Sequence, residues 1–267
     1  MDRDSKLKKL KKIISQMGSC LVAFSGGVDS AFLLSVAHAV LKEKCLAVTA
    51  QSLTYPDEEL RLSKRLAKSM GVRHKIIRTD ELKNKNFLLN PVNRCYFCKR
   101  ELFSRLKEIA RKEGLSFVVD ASNLSDRNDY RPGNRAKKEL KIRSPLIEAG
   151  FTKPDIRKFS KRLGLVTWQK PNLACLASRI PYGVKISPFL LNRIQRAEAI
   201  LRNYGFKQVR LRHYNGLCRI EVAQNEIAKI LNKRDLLVEK LKKLGYNYIT
   251  LDLEGYRTGS LNELIKK

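Results

Sequence analysis

Short apolar runs alternate with helical stripes along the first two-thirds of the chain. We predict buried strands at the apolar runs, residues 20–24, 46–49, 76–77 and 117–120. Between them apolar side chains recur every three or four positions, which is the spacing of one helix face. We predict helices at residues 5–17, 31–41, 57–70, 99–113 and 153–163. Strands alternating with helices indicate an α/β fold with a doubly wound parallel sheet.

The pattern changes after residue 186. Residues 208–213 and 219–222 are predicted as strands joined at Asn215-Gly216, a pair typical of hairpin turns. We predict flanking elements at residues 189–204 (helix), 225–244 (helix, with a break near 232–233) and 246–253 (strand). The chain is therefore predicted to divide into an α/β domain, residues 1–185, and a smaller α+β domain, residues 186–267.

The charge of the chain is strongly positive. Fifty-five Lys and Arg against 26 Asp and Glu give a net charge of +29 over 267 residues. This favours polyanions such as nucleotides, phosphorylated small molecules or RNA, and it equally fits a surface biased towards Lys. No segment approaches the roughly 18 to 20 apolar residues of a membrane span, and no signal-peptide core is visible. We expect a cytoplasmic enzyme with no membrane partner.

The first strand runs into the loop Ser25-Gly26-Gly27-Val28-Asp29-Ser30, which a helix follows. Two glycines let the backbone approach an oxyanion, and a helix N-terminus offers unpaired N–H donors. Ser25 and Ser30 add hydroxyl donors, and we expect Asp29 to organise Mg²⁺ or to hold the loop. The loop lacks the Gly-Lys-Ser/Thr of a Walker A motif. It resembles the loop of the PP-loop ATP pyrophosphatase superfamily, which implies ATP as substrate and adenylation with release of pyrophosphate.

Two further segments follow predicted strands. Gln51-Ser52 comes after the second strand and Asp120-Ala121-Ser122-Asn123 after the fourth. Open α/β sheets bind ligands at the carboxyl ends of their strands. We therefore expect Ser52 and Asn123 to contact the adenine or ribose of the nucleotide, although either residue could equally serve turn chemistry.

Three of the six cysteines suggest a metal site. Cys95 and Cys98 lie just before the helix predicted from residue 99, and Cys175 lies in Ala174-Cys175-Leu176-Ala177-Ser178-Arg179. Two thiolates at i and i+3 can share one metal, and a third would leave one position open, as in a [4Fe-4S] cluster with three Cys ligands. The alternative is that all three are structural. We predict that the other three are core residues: Cys20, Cys45 and Cys218.

Several longer segments resemble the LarE family, over about residues 12 to 255. These are Asp129-Tyr130-Arg131-Pro132-Gly133, Ser144-Pro145-Leu146-Ile147-Glu148-Ala149-Gly150, Cys175-Leu176-Ala177-Ser178-Arg179-Ile180-Pro181-Tyr182-Gly183, Arg210-Leu211-Arg212 and Arg219-Ile220-Glu221-Val222. The resemblance implies a PP-loop (adenine nucleotide alpha hydrolase-like) fold. It also implies a sulfur insertase of nickel-pincer nucleotide synthesis, which serves lactate racemase. Such an enzyme adenylates the carboxylates of pyridinium-3,5-biscarboxylic acid mononucleotide and converts them to thiocarboxylates.

The resemblance also implies roles for individual residues. Some family members sacrifice a cysteine at the position of Cys175, whereas others add cysteines at the positions of Cys95 and Cys98. The latter resemble forms in which a [4Fe-4S] cluster carries the transferable sulfide, and we favour this form, with sulfide or another sulfur donor as partner. We expect phosphate or nucleotide contacts from Arg131, Arg179, Arg210 and Arg212, and a cation site at Glu198 and Glu221. The alternative is that these are surface charges of a basic protein. The family suggests a homo-oligomer, with a hexamer as one form.

Two other readings fit parts of the sequence. A tRNA thiolase also joins a PP-loop to a cysteine-bound cluster, and the charge would suit RNA, but no separate RNA-binding module is visible. A nucleotide-binding regulatory protein would keep the loop without the chemistry. We expect no nucleic-acid partner, and a steep salt dependence of tRNA binding would contradict this.

Overall fold

The computed structural model describes residues 3–128, 131–171, 174–263 and 265. Asp129 and Tyr130, part of one family-like segment, lie outside them. The strands are β1 Cys20–Ala23, β2 Cys45–Gln51, β3 Arg73–Arg78, β4 Phe117–Val119, β5 Val209–Tyr214, β6 Leu217–Val222 and β7 Tyr248–Leu251. The helices are α1 Arg3–Met17, α2 Val28–Leu41, α3 Asp57–Ser69, α4 Lys85–Leu88, α5 Arg94–Lys112, α6 Gly133–Glu139, α7 Pro145–Glu148, α8 Lys153–Arg162, α9 Pro188–Asn203, α10 Ile227–Leu231 and α11 Arg234–Lys243.

The chain divides by its contacts into two units. The first comprises Met1–Glu81 and Asn93–Leu173, and the second comprises Leu82–Val92 and Ala174–Lys267. This division groups residues 174–185 with the C-terminal part, whereas we predicted a boundary after residue 185. The short segment containing α4 also belongs to the second unit, which chain order alone could not indicate.

The first unit contains a four-stranded sheet of order β3-β2-β1-β4, in which all neighbours are parallel. Alternate residues of each strand point to opposite faces. Val22 and Ala47 pack in a core with residues of α1, α2 and α8, whereas Leu21 and Leu46 pack with residues of α5. Both faces of the sheet are therefore covered by helices, which confirms the predicted doubly wound α/β class.

The strand order places a topological switch point beside β1. From β1 the chain proceeds to β2 and β3 on one side, and β4 then pairs on the other side. A ligand crevice is expected where the carboxyl ends of such strands diverge. The loop at residues 24–27 follows β1, and the segment at residues 120–123 follows β4, so both lie at this crevice.

The second unit contains a three-stranded sheet of order β5-β6-β7. The β5–β6 pair is antiparallel and turns at Asn215-Gly216, where φ is positive at both residues (35° and 92°), as a two-residue type I′ turn requires. Residues of α9 and α11 pack on one face of the sheet. The smaller α+β domain is thus confirmed, including the break between α10 and α11 at Asn232 and Lys233.

The predicted start of helix α5 was wrong. Helix α5 begins at Arg94 rather than at residue 99, so Cys95 and Cys98 lie within its first turns. Contacts with α6 hold this end of the helix: the Tyr96 hydroxyl donates to Glu139 at 2.8 Å, and Arg135 stacks over the Tyr96 ring. The aromatic pair between the cysteines is thus fixed by packing, which the periodicity of the later residues did not reveal.

Candidate active site

The loop between β1 and α2 forms a tight turn at a helix N-terminus. Gly26 has φ of 70°, and a Cβ there would lie 3.3 Å from the Ser63 backbone. Gly27 is the residue before α2 and is extended, with no side-chain cap. The Ser25 and Ser30 hydroxyl oxygens lie 3.1 Å apart across the loop. The arrangement leaves first-turn N–H groups of α2 for an anion, as the sequence predicts for a phosphate loop.

Asp29 lies in the first turn of α2 and is paired with a lysine that sequence reasoning missed. Lys153 Nζ lies 2.5 Å from Asp29 Oδ2, and Asn123 Nδ2 lies 3.5 Å from Oδ1. Burial raises the pKa of Asp29, and Lys153 opposes that rise. Lys153 is the first residue of α8, whose start is fixed by a capping box at Thr152. The loop, the segment after β4 and the start of α8 therefore meet at Asp29.

A second lysine contacts the loop backbone. Lys170 Nζ donates to the Gly26 carbonyl at 3.1 Å and lies 2.6 Å from Glu59 in the first turn of α3. A lone Lys in a polar stretch carries no sequence signal for such a role. The structure thus places two ammonium groups, from Lys153 and Lys170, against the predicted phosphate loop.

The segments after β2 and β4 have internal hydrogen-bond networks. Ser52 donates to Glu81, whose buried carboxylate also accepts from Thr54 at 3.0 Å. Lys137 lies 3.0 Å from Asp120, and its Nζ also donates to Ser122 at 2.7 Å. These contacts hold the crevice segments in place. The contacts of Ser52 and Asn123 with a nucleotide stay predictions.

Arg131 occupies a more exposed position in the same unit. Its guanidinium lies 2.8 Å from Asp126, and its side chain is about two-fifths exposed (42%). Asp126 also accepts from the Asn123 backbone N–H at 3.0 Å. Arg131 is therefore connected through one carboxylate to the segment after β4, and its nucleotide contact stays a prediction.

The six cysteines fall into a buried and an accessible set. Cys20, Cys45 and Cys218 are at most 1% exposed, which confirms that they are core residues. Cys95 is exposed, and Cys98 and Cys175 are partly exposed. Cys95 and Cys98 belong to the first unit and Cys175 to the second. Within either unit, the described residues contain no group of three Cys, His, Asp or Glu side chains arranged for a metal ion.

Arg179 holds the segment that carries Cys175. Its guanidinium pairs with Glu198 through two contacts of 2.7 and 3.3 Å, and the two side chains are 1% and 0% exposed. A third nitrogen donates to the Ala174 carbonyl at 3.0 Å and to the Cys175 carbonyl at 3.4 Å. Arg179 is thus committed to internal partners and positions the Cys175 backbone, whereas we predicted a phosphate clamp.

A second buried ion pair lies beside the first. Arg212 contacts Glu221 at 2.8 and 3.2 Å and donates to the Ser178 carbonyl at 2.6 Å and the Ser260 hydroxyl at 2.7 Å. Glu221 and Glu198 therefore have guanidinium counter-ions. The metal role predicted for these two carboxylates finds no support in this geometry, because arginines already supply the positive charge.

Arg210 differs from its two neighbours. It is 8% exposed, and its guanidinium donates to the Tyr256 hydroxyl at 2.8 Å and stacks over the same ring. Among the described residues no carboxylate forms an ion pair with it. Burial lowers the pKa of Arg210 to about 10, and the positive charge of Arg179 adds to this effect. Arg179 and Arg212 are each paired with a buried glutamate, whereas Arg210 has no such ion pair among the described residues.

None of the helices in the described part of the chain is both long and apolar enough to cross a bilayer.

A parallel sheet whose first strand runs through Ser-Gly-Gly into a helix N-terminus defines a PP-loop ATP-pyrophosphatase domain. Residues 19–89 match the family model described as queuosine biosynthesis protein QueC. The chain is 42% identical to an uncharacterized protein of Synechocystis sp., over 99% of each chain. It is 30% identical to an uncharacterized protein of Methanocaldococcus jannaschii, over 94% of this chain and 98% of the relative.

A further relative has a named activity. The chain is 37% identical to the pyridinium-3,5-bisthiocarboxylic acid mononucleotide synthase of Lactiplantibacillus plantarum, over 92% of this chain and 90% of the relative. The chain belongs to the family of this synthase, the LarE family.

Proposed function

We propose that this chain is an ATP-dependent sulfurtransferase that converts the carboxylates of pyridinium-3,5-biscarboxylic acid mononucleotide into thiocarboxylates. The observation that carries the proposal is the extent of the likeness to the synthase, which covers 92% of the chain and therefore both units. A likeness confined to the phosphate loop would support ATP use alone, because adenylating enzymes of many kinds share that loop.

The first unit supplies the activation half of the reaction. A substrate carboxylate oxygen attacks the α-phosphorus of ATP, and pyrophosphate leaves. Phosphate charge is stabilised by the α2 N-terminus and by Lys153 and Lys170. We expect Lys153 to move from Asp29 to a phosphate oxygen when Mg²⁺·ATP binds, which would release the Asp29 carboxylate for the Mg²⁺ ion.

Sulfur then replaces AMP. Hydrosulfide sulfur attacks the carbonyl carbon of the acyl-adenylate, and AMP leaves with the electrons of the broken C–O bond. Water must be kept out at this stage, because it would hydrolyse the mixed anhydride. The accessible cysteines fit this half: Cys95 and Cys98 are one helical turn apart, and Cys175 is held by Arg179. A [4Fe-4S] cluster bound by all three would supply a terminal sulfide on its open iron.

We propose that Arg210 recognises the phosphate of the mononucleotide. No carboxylate of the described residues forms an ion pair with its guanidinium, although Glu221 attracts it from the neighbouring strand. Arg179 and Arg212, in contrast, hold the segment carrying Cys175. Arg210→Lys should raise KM for the pyridinium substrate at least tenfold and leave KM for ATP unchanged, because Lys lacks the planar donor pair of Arg. An equal rise in both constants would contradict this assignment.

The decisive experiment measures product and chain mass together. The protein is purified without oxygen, its iron and sulfide are measured, and it is then incubated with Mg²⁺·ATP and the pyridinium substrate. Thiocarboxylate product and substrate-dependent pyrophosphate release support the proposal. A colourless chain that loses the mass of hydrogen sulfide at Cys175 during turnover would show that this cysteine is sacrificed instead. A chain that binds tRNA with a steep salt dependence, and forms no thiocarboxylate, would be a tRNA thiolase.

Three variants separate the two sulfur sources. Cys95→Ser should abolish iron binding and catalytic turnover if a cluster carries the sulfide. If Cys175 is sacrificed, Cys95→Ser should leave a single turnover intact and Cys175→Ser should not. Cys20→Ala is the matched control, because this thiol is buried in the first-unit core and should affect neither iron content nor turnover.

A further inference from the structure

A cluster of polar side chains lies inside the second unit, apart from the arginines of the proposed substrate site. It consists of Arg193 on α9, His213 on β5 and Tyr246, which precedes β7. The Arg193 guanidinium stacks on the Tyr246 ring at 3.8 Å, and the His213 and Tyr246 ring centroids are 5.9 Å apart. Cys218 pairs with His213 across the β5–β6 ladder, so its buried side chain lines the same face of the sheet.

The polar atoms of this cluster are buried without hydrogen-bond partners among the described residues. They are Nε and Nη2 of Arg193, Nδ1 of His213 and the hydroxyl oxygen of Tyr246. Tyr246 is 1% exposed and His213 is 5% exposed. Buried polar groups are almost always satisfied, and a charged donor without an acceptor is the costliest exception. These donors therefore call for an acceptor that belongs to no described residue.

The geometry of the donors specifies the kind of acceptor. Nε and Nη2 lie along one edge of the guanidinium, the edge that binds two oxygens of a carboxylate or phosphate in parallel. The Tyr246 hydroxyl can donate to the same group. Arg193 is only half-buried, so the cluster extends from the core towards the surface along α9.

The surrounding charges do not neutralise Arg193. Glu198, five residues further along α9, is close enough to act on Tyr246. Its oxygens, however, already accept from Arg179, from Arg202 and from the Leu211 backbone N–H. The pKa of His213 is lowered by burial and by Arg193, so the imidazole is neutral near pH 7 and adds no charge. The positive charge of Arg193 is left for a ligand.

We propose that Arg193, His213 and Tyr246 form a binding site for a small oxyanion, a phosphate or a carboxylate, separate from the ATP and pyridinium sites. The oxyanion contacts the Nε–Nη2 edge of Arg193 and accepts a hydrogen bond from Tyr246.

The test uses the full-length chain saturated with a non-hydrolysable ATP analogue, so that the phosphate loop is filled. Sodium phosphate and sodium acetate are titrated separately at constant ionic strength, and the arginine Nε–H signals are followed by ¹⁵N NMR. The Arg193 signal, assigned by its loss in Arg193→Met, should shift saturably with at least one probe. Phosphate and acetate distinguish the two oxyanion sources, and a response to either supports the site.

Two further variants complete the test. Arg196→Met is the matched control, because Arg196 is exposed on the same helix and should leave the titration unchanged. Tyr246→Phe keeps the stacked ring and should weaken the saturable binding by about two- to tenfold, the effect of one hydrogen bond. Absence of a saturable shift with both probes, or an unchanged affinity in Tyr246→Phe, would overturn the proposal. Neither result depends on sulfur transfer, so the test is independent of the proposed function.

Discussion

The Arg179–Glu198 pair offers the sharpest test of how the second unit is stabilised. Glu198 is fully buried and accepts four hydrogen bonds: two from Arg179, one from Arg202 and one from the Leu211 backbone. The substitution Glu198→Gln keeps the size of the side chain but removes its charge and turns one acceptor into a donor that faces guanidinium groups. Arg179 is then left 1% exposed without a carboxylate.

The expected loss is large relative to the stability of a domain. Breaking a buried ion pair by removing one partner costs about 3 to 5 kcal/mol. Total unfolding free energies are about 5 to 15 kcal/mol. With a urea dependence of about 2 kcal/mol per molar, a loss of about 4 kcal/mol lowers the midpoint of the second unit by about 2 M.

The assay is urea unfolding followed by near-UV absorbance of the tyrosines, most of which lie in the second unit. The double variant Arg179→Met/Glu198→Met removes both charges together and should recover most of the midpoint, because two apolar side chains need no counter-ion. A Glu198→Gln midpoint within about 0.5 M of the parent would refute the reasoning. So would a double variant no more stable than the single one.

The pH dependence of the same pair has a definite sign. Burial alone would raise the pKa of Glu198, but Arg179 lowers it overall. A carboxylate whose folded pKa is depressed contributes stability above its unfolded pKa, about 4.3, and loses it as the pH falls through the folded value. The midpoint difference between parent and Glu198→Gln should therefore be constant near neutrality and shrink in acid. A difference that grows on acidification would contradict the pairing.

Three shorter predictions concern the first unit. Gly26→Ala should lower stability by about 1 to 2 kcal/mol and weaken ATP binding, because φ is 70° there and a Cβ would crowd Ser63. Equilibrium unfolding measures the first effect and nucleotide titration the second. Thr152→Ala should cost about 1 kcal/mol through loss of the α8 cap, measured by thermal unfolding. Burial alone would raise the pKa of Asp155, but Lys6 and Thr152 lower it overall to about 2. The contribution of Asp155 to folding stability should therefore hold above about pH 4 and disappear towards pH 2. An unchanged acid unfolding transition in Lys6→Met would contradict this.

The local sequence pattern was sufficient to predict the elements nearest the phosphate loop. The apolar run at β1, the two glycines and the following helix are consecutive in sequence, and their geometry follows from backbone sterics and from the burial of alternate residues. The hairpin at Asn215-Gly216 is local for the same reason, since only a few residue types adopt two positive φ values in succession.

The start of α5 could not be predicted from hydrophobic periodicity. Cys95 and Cys98 were expected before the helix, because the regular apolar spacing begins only at Leu102. The packing of Tyr96 against α6 extends the helix backwards through them. A helix end held by a distant aromatic contact leaves no periodic signal of its own.

By itself, the sequence determined the α/β class, the position of the phosphate loop and which cysteines are core residues. Each of these depends on hydrophobic periodicity or on neighbouring residues. Only the tertiary structure decided which charges pair. Lys170 reaches the Gly26 carbonyl across 144 positions, and Lys153 reaches Asp29 across 124. Glu198 and Glu221, expected to bind a cation, have arginines as partners instead. An ionisable side chain far along the chain finds its partner through the packing of the elements that carry both, and no local pattern encodes that packing.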